Sequence, residues 1–195
     1  RARPDHTSDG LVAHEIAHQW YGDMLTTRNW ANAWLNEGFA TFLTYAWGEY
    51  DQGRDAAEYG RRWMLSSVRW ADESNRRPMV QYYYESDMDL FDSNIYAKGA
   101  LVLNMLRKML GYDAFWRTIR HYTNTYQFKN VESQDLKRVF EDVTGQNLEW
   151  FFDQWVYTGG LPHLDIKYKY NRRNQHVKLT IRQTQDVATS SLFRL

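Results

Sequence analysis

His14, Glu15 and His18 stand in the stretch Ala13-His-Glu-Ile-Ala-His18-Gln-Trp, an H-E-x-x-H pattern. On a helix, two imidazoles four positions apart project from one face and reach a single ion. Glu15 lies beside them, placed to take a proton from a water bound to that ion. His and Glu are ordinary helix residues and so short a pattern arises by chance, so the next segment carries weight. In Trp34-Leu-Asn-Glu37-Gly-Phe-Ala-Thr-Phe, eighteen residues separate His18 from Glu37. Structural zinc sites close four protein ligands around the ion, whereas catalytic ones commonly use two His and one Glu and leave the fourth position to water. His14, His18 and Glu37 supply that open set, which suits one Zn2+ ion better than calcium or magnesium. Such an ion lowers the pKa of its water to about 7 and polarises a carbonyl.

The run His-Glu-Ile-Ala-His-Gln-Trp-Tyr-Gly-Asp at 14–23, followed by Trp34-Leu-Asn-Glu-Gly-Phe-Ala40, resembles the aminopeptidase N family of zinc metallopeptidases, in the gluzincin group. Further matches follow in chain order at Tyr96-Ala-Lys98-Gly99-Ala100-Leu, Trp150-Phe-Phe-Asp153-Gln154-Trp155 and Gly159-Gly160-Leu-Pro162. The resemblance implies a mainly α fold, the helical lobe of a thermolysin-like zinc peptidase domain followed by the first strands of a β-sandwich. It implies peptide substrates cleaved at their N-terminus, with Glu15 as general base. It also assigns Tyr96, of the Tyr-x-Lys-Gly motif, to stabilising the oxyanion of the tetrahedral intermediate; among fourteen Tyr the residues alone do not choose it. Lys98 orients that loop or marks the helix start. Asn36 and Asp23 are candidates to hold the ligand imidazoles in orientation. In the family an upstream Gly-x-Met-Glu-Asn strand grips the substrate ammonium, and that motif does not occur here. The remainder of a parent enzyme is therefore an expected partner, and the isolated chain is expected to be inactive. Two alternatives stay open: an endopeptidase or epoxide-opening hydrolase on the same scaffold, and a non-catalytic scaffold that kept the fold.

These residues need a frame to hold them. Helical periodicity runs from Ser8 to Gly22, with Ser8 or Asp9 as N-cap and Gly22 closing the helix. A second helix spans Ala31 to Tyr50, joined by a connection short enough to fold the two against each other. A third, Asp55 to Asn75, repeats large apolar groups at Tyr59, Trp63 and Trp70, and Arg77-Pro78 ends it. Residues 81–93 lack periodicity and predict a loop. Leu101 to Leu110 is apolar on nearly every side, as a central buried helix should be. Shorter helices are expected at Tyr112 to Tyr126, Ser133 to Val143 and Leu148 to Tyr157. Then the period changes. Leu164, Ile166, Tyr168 and Tyr170 alternate with polar residues, and Val177, Leu179 and Ile181 repeat the alternation after the turn 171–175, predicting a half-buried hairpin. Thr158-Gly159-Gly160 marks the boundary between a helical lobe, 1–160, and the start of an antiparallel sheet module, 161–195.

Composition excludes several classes. Among 195 residues, 43% are apolar and 16% aromatic, which suits a packed core rather than disorder. Formal net charge is zero, so overall charge implies no nucleic acid or membrane partner. No apolar run reaches membrane-spanning length. With no Cys there are no disulfides and no thiolate ligands. The Arg-rich third helix is interleaved with acids and reads as a solvated, salt-bridged face. His6, His121, His163 and His176 lack a partner at ligand spacing, and the Trp and Phe residues read as core.

Overall fold

A computed structural model describes residues 8–195; His6 lies outside them. Helix α1 (Asp9–His18) leads through strand β1 (Leu25–Thr27) and a 3₁₀ turn (Trp30–Asn32) into α2 (Trp34–Asp51) and α3 (Arg54–Ser74). A second 3₁₀ turn (Asp87–Leu90) precedes a π-helical turn (Asn94–Lys98) that runs directly into α4 (Gly99–Leu110). Helix α5 (Tyr112–Tyr126), strand β2 (Lys129–Val131), α6 (Ser133–Thr144) and α7 (Glu149–Trp155) complete a helical lobe. Strands β3 (Leu164–Asn171) and β4 (His176–Gln183) form the antiparallel hairpin, with Ile166 opposite Ile181 and Tyr168 opposite Leu179. No helix among the described residues is long and apolar enough to cross a membrane.

The core sits between α2, α4, α5 and α6. Phe39 stacks on Tyr21 at 4.2 Å, and Phe42 meets Phe115 edge-on at 5.4 Å. Trp34 is wholly buried and its indole N–H donates to Ser133 Oγ at 2.8 Å. Ser133 in turn donates its hydroxyl and its backbone N–H to Asn32 Oδ1, at 2.7 and 2.9 Å. The polar end of that large indole is thus satisfied where it is buried, as a core Trp requires. Truncating it to Ala should cost about 3–5 kcal/mol. This network fixes the start of α2, and with it Glu37 one turn on, to the start of α6.

Three expectations need correction. Helix α1 ends at His18, four residues before Gly22, because the Tyr21 carbonyl turns back to accept from the His18 ring at 2.9 Å. The aromatic repeat on α3 does not face inward: Tyr59, Trp63 and Trp70 are 78%, 68% and 69% exposed, while Ala57, Met64, Val68 and Ala71 are buried. Small and medium residues let α3 pack close, and the period of the large ones marks the opposite face. The hairpin is not half-buried either, since Ile166 and Ile181 are 55% and 48% exposed. Its apolar face, Ile166 and Ile181 beside Tyr168 and Leu179, has no second layer among the described residues. After the hairpin the chain returns to the lobe, where Phe193 packs on Trp155 at 4.9 Å and Gln154 Nε2 donates to the Arg194 carbonyl at 3.0 Å.

Two elements have no clear signal in the sequence. Strands β1 and β2 are three residues each and pair in parallel, Leu25 with Lys129 and Thr27 with Val131. The segment expected as loop holds the 3₁₀ turn Asp87–Leu90, which begins where Ser86 Oγ accepts from Met88 N–H and the Ser86 N–H donates to Asp89. The Arg-rich segment is salt-bridged within α3 at Arg61 to Glu58 and, just past its end, at Arg76 to Asp72.

Candidate metal centre and catalytic cleft

Helices α1 and α2 fold back on each other, and the three ligand candidates meet where they cross. His14 Nε2 lies 3.1 Å from His18 Nε2, and each is 3.2 Å from Glu37 Oε2. A point about 2 Å from each corner fits over a triangle of that size, the length of zinc bonds to His and Glu. No other trio of His, Asp or Glu among the described residues converges in this way. His121, His163 and His176 are exposed and stand apart.

Hydrogen bonding prepares the set. The His18 Nδ1 proton donates to the Tyr21 carbonyl at 2.9 Å, which aims Nε2 at the centre, where it can ligate an ion once its own proton has left. Gly22 makes that carbonyl available: its φ is +142°, and a Cβ there would meet His18 Nδ1 at 3.1 Å. The sequence expectation assigned the orienting role to Asn36 and Asp23. Neither takes it, since Asn36 Oδ1 is buried without a hydrogen-bond partner among the described residues and the Asp23 side chain is exposed. A backbone carbonyl does the work, and only the Tyr-Gly-Asp run at 21–23 signals it.

The centre is electrically biased towards cations. Burial pushes the Glu37 carboxyl up, but hydrogen bonds from His14 and His18 outweigh it and bring it down to about 2. Glu37 is therefore ionised throughout the physiological range. The hydrogen bond to Glu37 raises His18 to about 9, against burial, which lowers it, so without an ion His18 holds a second proton at neutral pH that a metal must displace.

Beside the ligands opens a cleft of about 670 Å³, whose lining includes His14, Glu15, Trp63, Phe91, Asp92 and Tyr96. Glu15 is exposed to this cleft. The Tyr96 ring lies parallel to His14 with centroids 6.1 Å apart. Burial foremost, then the Glu37 charge and a hydrogen bond to Glu37, push the Tyr96 hydroxyl up to about 12, so it remains a proton donor. The π turn that carries it starts at Asp92, whose carbonyl accepts from Ile95 and Tyr96 N–H at 3.1 and 3.3 Å; the Lys98 N–H reaches back five residues to Ser93 at 2.9 Å. Such turns gather at functional sites. Lys98 itself is buried and is not among the residues lining the cleft; burial pulls its ammonium down to about 8.

Asp92 is a residue that the sequence pattern does not single out. Its carboxylate accepts from Arg77 Nε and Nη2 at 3.1 and 2.7 Å, and from Asn94 N–H and Nδ2 at 2.8 and 2.9 Å. So many donors leave it no capacity to grip a substrate ammonium; it braces the π turn instead.

Two imidazoles and a carboxylate converging from a helix pair, with an acid and a phenol beside them, define the site type of zinc-dependent hydrolases. Residues 3–155 match the peptidase family M1 domain, and the chain belongs to that family. Aminopeptidase M1-D of Oryza sativa subsp. japonica is 33% identical over 168 residues, covering 81% of this chain and 18% of its own length. Tricorn protease-interacting factor F2 of Thermoplasma acidophilum is 33% identical over 165 residues, covering 83% of this chain and 21% of its own. The chain thus spans about a fifth of the length of these curated relatives. Among solved structures, an M1 zinc metallopeptidase from Deinococcus radiodurans bound to a Tyr-Ser-Ala substrate superposes with a TM-score of 0.68 at 30% identity, over 80% of this chain and 35% of that one. Yeast LTA4 hydrolase in complex with bestatin gives 0.73 at 25% identity, over 82% and 27%. The helical lobe with its small sheet is therefore the M1 fold, as the mainly α expectation held.

Proposed function

We propose that residues 1–160 form the catalytic lobe of a longer zinc aminopeptidase and that residues 161–195 begin a separate antiparallel β module. The single observation behind this reading is the convergence of His14, His18 and Glu37 within bonding distance of one point, beside a cleft that holds Glu15 and Tyr96. Bound zinc supplies a Lewis acid for the scissile carbonyl and acidifies water. This chain's residues do the rest. His14, His18 and Glu37 hold the ion, and the Tyr21 carbonyl keeps His18 in the ligating tautomer.

Glu15 Oε takes the proton of the attacking water and delivers it to the leaving amine, a role worth roughly 10² to 10⁴ in rate. The Tyr96 hydroxyl, protonated at working pH, donates to the oxygen that gains charge. Phe91 and Trp63 line the cleft beside these groups. Removal of residues from the N-terminus of peptides is supported by the names of the relatives and by the tripeptide bound to the Deinococcus structure.

The test compares metal and turnover in the longer enzyme. Wild type should hold one zinc per chain and hydrolyse aminoacyl-p-nitroanilides, while Glu15→Gln keeps the metal and loses turnover. Undiminished turnover in Glu15→Gln would overturn the assignment.

A further inference from the structure

Glycine is a poor helix residue, yet Gly38 sits inside α2 and Gly99 opens α4. Their surroundings explain both. A Cβ on Gly99 would stand 2.8 Å from the Gly38 Cα; one on Gly38 would stand 3.0 Å from the Gly99 Cα and 3.1 Å from the Ile95 carbonyl. The two backbones touch with no side chain between them. Gly48, on the same helix α2, has nothing within 4 Å of the corresponding position, so close contact is not a general property of that helix.

The position of the contact gives it a role. Gly38 directly follows Glu37, and Ile95, whose carbonyl faces Gly38, directly precedes Tyr96. The metal ligand is therefore one peptide bond from Gly38, and the phenol one peptide bond from the Ile95 carbonyl that Gly38 meets and three residues before Gly99. We propose that Gly38 and Gly99 are positioning residues: their backbone contact sets how closely Glu37 and Tyr96 approach each other across the metal centre. The inference rests on the metal-centre reading above. A methyl group at either position forces the helices apart by roughly 0.5 Å before ordinary contact is restored, which exceeds the ±0.2 Å spread of metal–ligand lengths. Neither glycine touches the ion, so a loss of metal affinity on substitution would act through Glu37.

The test measures zinc affinity by chelator competition, and the visible spectrum of the Co2+ form, in the full chain and in four variants. Gly38→Ala and Gly99→Ala should weaken zinc roughly 10- to 100-fold, the range seen when groups behind the ligands are altered, and should shift the cobalt bands. Gly48→Ala should stay within about twofold of wild type, as an open helical site requires. Gly38→Ala carries the milder clash and keeps the test decisive if Gly99→Ala does not fold. Folded alanine variants with wild-type affinity and cobalt spectrum would show that the contact is packing alone and overturn the inference. So would failure of both to fold. His18→Ala separates the two levels: if it binds zinc as wild type does, the metal-centre reading falls and this inference with it. If it loses zinc while the glycine variants keep it, only the inference falls.

Discussion

Arg77→Met should destabilise the lobe although Arg77 stands outside the His14, His18 and Glu37 cluster. The guanidinium is 6% exposed and forms a two-pronged pair with Asp92 at 2.7 and 3.1 Å, while also donating to the Leu90 and Pro78 carbonyls at 2.7 and 2.9 Å. Removing one partner of a buried pair costs about 3–5 kcal/mol, because the other charge is left without compensation. Asp92 is 25% exposed and keeps its bonds from Asn94, so the lower end, about 3 kcal/mol, is expected. For a chain of 195 residues that corresponds to a fall in Tm of about 6–12 °C. Far-UV circular dichroism on heating near neutral pH measures it. Adding Asp92→Asn to Arg77→Met removes the stranded charge and should recover part of the loss. A single variant within about 2 °C of wild type, or a double variant no more stable than the single, would refute the account of the pair as the brace of the π turn.

Other outcomes follow from the same structure. His14→Ala or His18→Ala should abolish stoichiometric zinc binding, and a variant that still holds one ion per chain by elemental analysis would count against the ligand set. Tyr96→Phe should lower kcat by roughly 10² to 10³ with little change in KM, since an oxyanion donor acts in the transition state; unaltered kcat would remove it from the mechanism. Lys98 gives a pH signature. Its ammonium, pulled down to about 8 by burial, releases its proton in the folded chain while the unfolded chain keeps it up to about 10.5. Stability should therefore rise between these limits, by up to about 3 kcal/mol, and fall back as pH drops through 8. Urea unfolding across that window measures the rise, and Lys98→Met should flatten it; an equal slope in the variant would show that another group titrates.

What the sequence reveals of this molecule depends on how local each feature is. The pairing of His14 with His18 is legible because helical spacing alone puts two imidazoles on one face, whereas Glu37, on α2, is not fixed by that spacing. Helix α5 falls at Tyr112 to Tyr126 as its pattern predicts, since Gly111 before it and an apolar stripe through Phe115, Ile119 and Tyr122 lie within the segment. The parallel pairing of β1 with β2 is not legible, because three-residue strands carry no period and their partner lies far along the chain. Tyr96 was reachable only through resemblance, for nothing local separates it from the other Tyr. The outward face of α3 is not legible, because Tyr59, Trp63 and Trp70 share a period that does not say which way it points. The His18 Nδ1 bond escaped because its acceptor is main chain, and a carbonyl has no sequence identity.

The fastenings of the metal helix also set when it can form. Tyr21 Oη, just past α1, bonds Thr123 across 102 residues, and Asn32 and Trp34, just before Glu37, bond Ser133 across 101 and 99. Contacts of such long range are reached only after large loops have closed, which slows folding. In order of synthesis α1 and α2 precede α6, so this anchorage waits until α6 has emerged. During that interval α1 and α2 can already pack on each other, without their ties to Thr123 and Ser133. Packing of α1 on α2 can thus come first, and the ties that fix the pair to α5 and α6 come last.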